Sequence, residues 1–177
     1  MITTSDPEVA RKARMIRNQG MEKRYANEFV GLNNRMTDIH ASIGRVQLGK
    51  LAGWTKIRQD NAAFLSQNIT EAVTPTVPEG YVHVYHQYTI RVEGATGEER
   101  DRFVTALKEE HQVGSGVYYP IPNHRLPSLA PYAPGLELPN TEKVAAECVS
   151  LPVHPSLSQA DLERIAEAVN KAAKAGA

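Results

Sequence analysis

The sequence predicts an α/β protein whose second part is a small α/β domain. From about residue 71 onward, the signals alternate in the order strand, helix, strand, helix, helix. Ahead of them, apolar residues recur at helical spacing through 37–69, which indicates one long helix. Residues 1–36 carry a short helix and then turn signals, and with the long helix they look like the edge of a larger domain. We therefore predict three parts, at 1–36, 37–70 and 71–177.

The first helix is predicted to begin beside Pro7, a residue type tolerated in the first helical turn. Ser5 and Glu8 have the spacing of a capping box, and Gly20 ends the helix. Its apolar stripe is formed by Val9, Ala13 and Ile16. The turn signals and polar residues at 20–36 predict a long loop.

The long helix is predicted to start at Thr37, which has the side chain of an N-cap. Three glycines interrupt its pattern, and each costs about 1 kcal/mol relative to alanine inside a helix. Close packing on another helix, a break into two helices, or both would account for them. The glycines are Gly44, Gly49 and Gly53, and the apolar positions are Ile39, Ile43, Val46, Leu51, Trp54, Ile57 and Leu65.

The second part opens with a linker rich in proline, threonine and glycine at 71–80. Residues 82–92 alternate as a strand, with Tyr88 and Ile90 on the apolar face. Thr96 and Glu99 have the spacing of a capping box for a helix that runs to about residue 111.

A second strand is predicted at 117–119, followed by a loop at 120–140 that contains six prolines. A short helix at 141–148 precedes an extended piece at 150–152. The last helix begins at a Ser158 and Asp161 cap, and its inner face is Leu162, Ile165 and Val169.

Composition argues against several classes of protein. The 177 residues include 20 basic and 20 acidic side chains, without a long basic run, which argues against nucleic-acid binding. No apolar run reaches the roughly 18 residues of a membrane span, and the start lacks a signal-peptide pattern. The one cysteine, Cys148, excludes an intrachain disulfide and is expected to be a buried, inert thiol in a helix. We therefore expect a cytoplasmic protein.

A glycine, an asparagine and an arginine stand just before the long helix, in the run Gly31-Leu32-Asn33-Asn34-Arg35. Gly31 allows the backbone to turn or to approach a ligand closely. The amide of Asn33 and the planar fork of Arg35 are donors that suit a phosphate. Plain turn chemistry is the alternative for these residues.

Six segments, spread over almost the whole chain, carry a resemblance to a known family. They are 2–6, 17–20, 31–41 with Gly44 and Gln47-Leu48, 85–91, 119–124 and 150–155. Together they resemble the DegT/DnrJ/EryC1/StrS family of sugar aminotransferases. The resemblance implies the fold of aspartate aminotransferase and the cofactor pyridoxal phosphate (PLP).

The resemblance also implies that essential groups are missing. In the family, the Schiff-base lysine, the aromatic residue that stacks on PLP and the acidic partner of its ring nitrogen all precede the segment that begins this chain. The lysines present here fall on predicted helices or charged surface stretches, so we assign no catalytic residue. The chain resembles the carboxy-terminal part of such an enzyme and is expected to be inactive alone.

Four residues are expected to contact ligands by resemblance. In the family, the asparagine that matches Asn33 reaches across the dimer to the PLP phosphate, and the arginine that matches Arg35 helps to bind that phosphate or braces the loop. Tyr119 and His124 flank the proline-rich loop, near the mouth of the site and the sugar nucleotide. The alternative for His124 is a histidine on the surface of a loop. Gln19 stands where many relatives have histidine.

The histidines His83 and His86 are three residues apart, a spacing that raises the question of a metal site. On a strand this spacing places them on opposite faces, and no carboxylate or cysteine pair lies nearby in sequence, so no metal site is expected. His86 would then be a hydrogen-bonded core residue.

The activity that the resemblance implies is transfer of an amino group, usually from glutamate, to a nucleotide-linked keto-sugar by way of pyridoxamine phosphate (PMP). The working form would be a homodimer. The alternative is a non-catalytic module of the same fold that binds a sugar nucleotide or promotes dimerisation. A PLP-dependent dehydratase without the lysine is a further possible parent.

Overall fold

Pro7 determines where the first helix begins. In the computed structural model, which describes residues 2–175, helix α1 spans Pro7–Ile16. The prediction of Ser5 as the cap is wrong, because Pro7 occupies the first turn and the preceding residue, Asp6, takes the cap position. Its Oδ1 accepts hydrogen bonds from the backbone N–H groups of Glu8 at 2.8 Å and Val9 at 3.2 Å.

The chain divides into two compact units, Met1–Lys50 and Leu51–Ala177, so the predicted boundaries at 36/37 and 70/71 lie on either side of the observed division. The three-part division stays a prediction.

The segment after α1 contains a small hairpin where a plain loop was predicted. Strand β1, Met21–Lys23, pairs antiparallel with β2, Ala26–Asn27. The guanidinium of Arg11 lies 3.0 Å from Glu8 on its own helix and 3.1 Å from Glu22 on the hairpin. This exposed ion pair joins helix and hairpin, and hydrogen bonding to Glu8 raises the pKa of Arg11.

Helix α2, Asp38–Asn68, is continuous over 31 residues. The Oγ1 of Thr37 accepts a hydrogen bond from the His40 N–H at 3.3 Å, which confirms the predicted cap. The predicted break is wrong, because one helix passes through all three glycines. Added Cβ atoms on them would have nothing within 4 Å, so close packing within the described chain does not explain them either. The apolar side chains of its first half are exposed: Ile39, Ile43, Val46, Leu48 and Leu51.

An antiparallel pair of strands lies at the centre of the second unit. Strand β3, Tyr88–Arg91, pairs with β4, Cys148–Leu151, with Ile90 opposite Val149. Single antiparallel bridges extend the sheet on both sides, between Val73 and Arg91 and between Gly116 and Ser150. The second unit therefore has four extended segments, of which only the central two are strands.

Helices cover this sheet: α3 Gly97–Glu109, α4 Pro139–Glu147 and α5 Gln159–Ala175. The capping box of Thr96 and Glu99 is present in both directions, as predicted. The Ser158 and Asp161 cap of α5 is also confirmed, with the Ser158 Oγ donating to Asp161 Oδ2 at 2.6 Å.

Three predicted elements differ from the structure. The strand predicted at 82–92 begins only at Tyr88, because Tyr85 has a φ of +47°, which ends extended backbone. Residues 117–119 form no strand, and the chain instead contacts the sheet through Gly116. Cys148 is buried, as expected, but it begins β4 because α4 ends one residue earlier.

The proline-rich segment is ordered by two turns of 3₁₀ helix, at Asn123–Arg125 and Ala130–Tyr132.

The core of the second unit joins α2, the sheet and the other helices. Tyr88 is fully buried, its hydroxyl lies 2.8 Å from the Ser66 Oγ, and burial raises its pKa to about 12. The predicted inner face of α5 is confirmed, because Leu162, Ile165 and Val169 are all buried. The largest buried apolar residues are Leu65, Ile69, Tyr88, Ile90, Phe103, Leu107, Leu151, Leu162 and Ile165.

A carboxylate is buried at the end of α4 beside this core. The side chain of Glu147 is 2% exposed and accepts hydrogen bonds from Arg91 Nη1 at 2.6 Å and the Gly94 N–H at 2.9 Å. Burial opposes its charge, but the bonds from Gly94 and Arg91, with the charge of Lys143, leave the pKa of Glu147 below its ordinary value.

We expect Glu147→Gln to lower the free energy of unfolding by about 2–4 kcal/mol at neutral pH, because it leaves Arg91 without its carboxylate. Since the folded pKa of Glu147 is lowered, its contribution is present above the ordinary value of 4.5 and is lost as the pH falls through the folded value. The difference between variant and parent should therefore shrink in acid. Urea unfolding followed by Trp54 fluorescence measures it, with the exposed Glu109→Gln as control. Equal effects of the two substitutions would contradict the prediction.

Candidate functional site

The run from Gly31 to Arg35 is held against the end of α1 by backbone hydrogen bonds. The Leu32 N–H donates to the Ile16 carbonyl at 2.7 Å, and the Gln19 N–H donates to the Leu32 carbonyl at 2.9 Å. The Asn34 N–H adds a bond of 3.0 Å to the Arg17 carbonyl. These bonds place the backbone of Asn33 in a defined position although the segment is not a strand.

Two glycines make this contact possible. A Cβ on Gly31 would lie 2.1 Å from the backbone nitrogen of Gly20, and a Cβ on Gly20 would lie 1.8 Å from the Phe29 carbonyl oxygen. Gly20 also has a φ of +74°, which side chains rarely adopt. Gly31 was predicted to allow either a turn or a close approach to a ligand. It does allow a close approach, but the neighbour is the backbone of the same chain.

Gln19 acts here through its backbone. It has a φ of +59°, its N–H donates to Leu32, and its carbonyl accepts a hydrogen bond of 2.7 Å from the Asn27 Nδ2. These contacts do not require a histidine ring at this position.

Asn33 and Arg35 are exposed and bonded to one another. The Nε of Arg35 donates to the Oδ1 of Asn33 at 3.0 Å. The structure gives no protein partner in residues 2–175 to the Asn33 Nδ2 or to the terminal guanidinium nitrogens of Arg35. The Asn33 oxygen already accepts a hydrogen bond from Arg35, and the nitrogen groups without a partner are all donors. Such a set fits the phosphate of PLP.

Sequence reasoning missed two arginines beside this pair. Arg14 and Arg17, three residues apart near the end of α1, line a cleft of about 440 Å³ together with Arg35. Arg11 and Glu22 also line it and form an ion pair with each other. The cleft therefore has an excess of positive charge. The helical spacing of the two arginines was the available signal.

The second unit carries the other two predicted residues. Tyr119 is 74% exposed, whereas His124 is 9% exposed. The alternative of a surface histidine is therefore wrong. The Nε2 of His124 lies 2.8 Å from Glu142 Oε1, and the same oxygen accepts a bond of 2.7 Å from Arg125 Nη2. Hydrogen bonds from His124 and then Arg125 lower the pKa of Glu142 to about 2.

All eight lysines of the chain are exposed: Lys12, Lys23, Lys50, Lys56, Lys108, Lys143, Lys171 and Lys174. A Schiff-base lysine is made nucleophilic by burial or by a neighbouring cation. None of the eight lysines is buried. The residues whose chemistry fits PLP are therefore Asn33 and Arg35, which have donors suited to its phosphate.

The two histidines at 83 and 86 lie ahead of β3, and both side chains are exposed, so His86 is not a core residue as predicted. The Nδ1 of His83 accepts a hydrogen bond from the Tyr85 N–H. Across residues 2–175, no cluster of three His, Cys, Asp or Glu side chains is placed to hold a metal ion. Nor do these residues contain a helix with the length and apolarity to cross a membrane.

We expect Gly31→Ala to release the Gly31 to Arg35 run from α1, because the new Cβ would overlap the backbone at Gly20 and neither backbone can move freely. Hydrogen exchange by NMR should show lost protection at the amides of Gln19 and Leu32. Gly44→Ala is the matched control, since its Cβ meets nothing within 4 Å and should leave those amides protected. Retained protection in Gly31→Ala would contradict the proposed contact.

Known proteins resemble this chain over almost its whole length. The DegT/DnrJ/EryC1/StrS aminotransferase family matches residues 1–170. A pleiotropic regulatory protein of Geobacillus stearothermophilus is 37% identical over 96% of this chain and 45% of its own length. The dTDP-3-amino-3,6-dideoxy-alpha-D-galactopyranose transaminase of Aneurinibacillus thermoaerophilus is 33% identical over 96% of this chain and 46% of its own.

Solved structures share the fold. DesV of S. venezuelae is 30% identical, with a TM-score of 0.87 over 97% of this chain and 46% of its own. A Bacillus subtilis protein solved with bound PMP is 26% identical, with a TM-score of 0.86 over 97% of this chain and 41% of its own. The chain spans about half the length of the curated relatives it matches. The predicted family and fold class are confirmed: this chain belongs to the DegT/DnrJ/EryC1/StrS aminotransferase family.

Proposed function

We propose that the protein to which this chain contributes transfers an amino group, from glutamate, to a keto-sugar linked to a nucleotide. Matching relatives support the reaction class, since they include a dTDP-sugar transaminase and a UDP-N-acetyl-3-dehydro-alpha-D-glucosamine 3-aminotransferase from Acidithiobacillus ferrooxidans, 33% identical to this chain. The observation that carries the proposal is the exposed pair of Asn33 and Arg35, whose free groups are donors.

In this proposal the Gly31 to Arg35 run contacts the phosphate of PLP. The Nδ2 of Asn33 donates to a phosphate oxygen, while Arg35 holds the Asn33 carbonyl oxygen away from it and adds positive charge. Bound PLP supplies the electron sink that amino transfer requires. The backbone bonds to α1 support this role, because a loop fixed before binding loses little entropy on contact with the phosphate.

Tyr119 and His124 are proposed to contact the sugar nucleotide. Tyr119 presents an exposed aromatic ring and hydroxyl at the start of the proline-rich segment. His124 has one ring nitrogen engaged by Glu142. These groups suit a ligand that has both rings and hydroxyls.

A homodimer and a cytoplasmic location complete the proposal. In the family, the asparagine of this motif serves the PLP of the other subunit, which requires a dimer. Exposed apolar side chains on the first half of α2, including Ile39, Ile43 and Val46, are consistent with burial by further protein. Cys148 is a free, buried thiol, as is usual in a reducing compartment.

A non-catalytic module that binds a sugar nucleotide is the second candidate. It is supported by the exposure of all eight lysines, which leaves the chain without a buried amine for a Schiff base. This candidate predicts that the chain binds a nucleotide sugar in the absence of PLP.

We expect the 177-residue chain alone to form no amino sugar from PLP, L-glutamate and a dTDP-linked keto-sugar, because it lacks a buried lysine. The complete polypeptide in which this sequence occurs should form it. Mass spectrometry of the sugar product measures both. Turnover by the chain alone would contradict the lysine argument. No turnover by the complete polypeptide, together with binding of dTDP-glucose to this chain, would favour the module.

In that complete polypeptide, Asn33→Ala should weaken PLP retention by about tenfold or more, the ratio expected when a hydrogen bond to a charged group is lost. Equilibrium dialysis with absorbance of bound PLP measures this. Asn34→Ala is the matched control, because the neighbouring Asn34 contacts the chain through its backbone N–H, which alanine keeps. Equal PLP affinity in the two variants would exclude the phosphate role of Asn33.

A further inference from the structure

One carboxylate joins the proline-rich segment to the start of α4. Glu142 Oε1 lies 2.8 Å from the Nε2 of His124, 2.7 Å from Arg125 Nη2 and 3.2 Å from Arg125 Nε. The Leu138 N–H approaches the same oxygen at 3.5 Å. The histidine side chain is 5% exposed, whereas that of Glu142 is 36% exposed.

This geometry determines which ring nitrogen carries the proton. A carboxylate has only acceptors, so the group facing it must donate. Hydrogen bonds from His124 and Arg125 keep Glu142 ionised by lowering its pKa to about 2. The Nε2 of His124 is therefore the N–H nitrogen, and Nδ1 of the neutral ring carries a lone pair.

The second ring nitrogen of His124, Nδ1, is free to bind a ligand. Among the residues that the structure describes, the His124 Nδ1 has no protein hydrogen-bond partner. The one side-chain atom in these residues that is fully buried without a partner is the Oγ of Ser115. The Nδ1 of His124 also lacks a protein partner, but it is not fully buried. It therefore reaches solvent, although most of the ring is buried.

We propose that Glu142 is a positioning residue that fixes the Nε2–H tautomer of His124 and so presents Nδ1 as a hydrogen-bond acceptor for a sugar hydroxyl. The identity of that ligand rests on the proposed function, whereas the tautomer does not. Carboxylates orient imidazoles in this way in catalytic triads and metal sites.

Arg125 makes the arrangement specific. Its guanidinium shares the Glu142 oxygen with the histidine, so the carboxylate has a permanent cation as a partner. A purely structural clamp between the 3₁₀ helix and α4 would need the Arg125 contact alone. The same oxygen also orders a ring whose second nitrogen is open, and this favours a role for that nitrogen.

Long-range ¹H–¹⁵N NMR of the histidine rings in the 177-residue chain tests the positioning role, because it reads the tautomer directly. We expect His124 in the neutral form to favour Nε2–H by about tenfold or more, as for a hydrogen bond to a charged group. Glu142→Ala should reduce this ratio to near unity, and Glu142→Gln, which keeps an acceptor oxygen, should retain part of it. The exposed Glu137→Ala is the control and should leave the ratio unchanged.

An Nδ1–H tautomer in the parent chain, or an unchanged ratio in Glu142→Ala, would overturn the positioning role. Titration of the complete polypeptide with dTDP-glucose tests the ligand. The Nδ1 resonance of His124 should shift on binding, and this shift should be lost in Glu142→Ala. If dTDP-glucose binds and the Nδ1 resonance of His124 does not shift, the proposed contact with a sugar hydroxyl is overturned. The tautomer ratio can still be read if the polypeptide fails to transfer amino groups, so the two failures are distinguishable.

Discussion

The close approach of two backbone segments at Gly20 and Gly31 is the constraint on which the first unit depends. Hydrogen bonds from residues 31–34 reach the carbonyls at the end of α1, and neither glycine tolerates a side chain at this contact. The hairpin of β1 and β2 closes over the same turn, and the Glu28 N–H bonds to the Gly20 carbonyl at 2.9 Å. Asn33 thus gains a fixed backbone in a region with little regular structure.

In the second unit, two carboxylates hold neighbouring segments together. Glu147 ties α4 to β3 and to the turn at Gly94, and Glu142 ties the start of α4 to the proline-rich segment. Both use charge-assisted hydrogen bonds, which are stronger than neutral ones. They differ in exposure: the side chain of Glu147 is 2% exposed, whereas that of Glu142 is 36% exposed.

Much of the fold follows from local signals in the sequence. The capping box of Thr96 and Glu99, the cap at Thr37 and the inner face of α5 were predictable because caps and helical spacing depend on near neighbours. The strand at 82–92 was too long because alternation cannot reveal the positive φ of Tyr85. The strand predicted at 117–119 does not form, and the bridge is made at Gly116, because pairing with Ser150 depends on residues far apart in the chain.

The site could be predicted only in part. The residue types of Asn33 and Arg35 predicted a phosphate contact, but the hydrogen bond between the two side chains could be seen only in the folded loop. The partner of His124 was hidden because Glu142 lies 18 residues away, beyond four prolines, and no local pattern determines the path of that segment.

The exposed polar groups of the two units and the missing buried amine have a common physical cause. The side chains of Asn33 and His124 are each positioned by hydrogen bonds from within their own unit, so each arrangement can form on its own. A lysine for a Schiff base is different, because it must be desolvated or placed beside another cation. Among the residues that the structure describes, 25 large apolar side chains and all eight lysines are exposed, so none of these lysines is desolvated by its own chain.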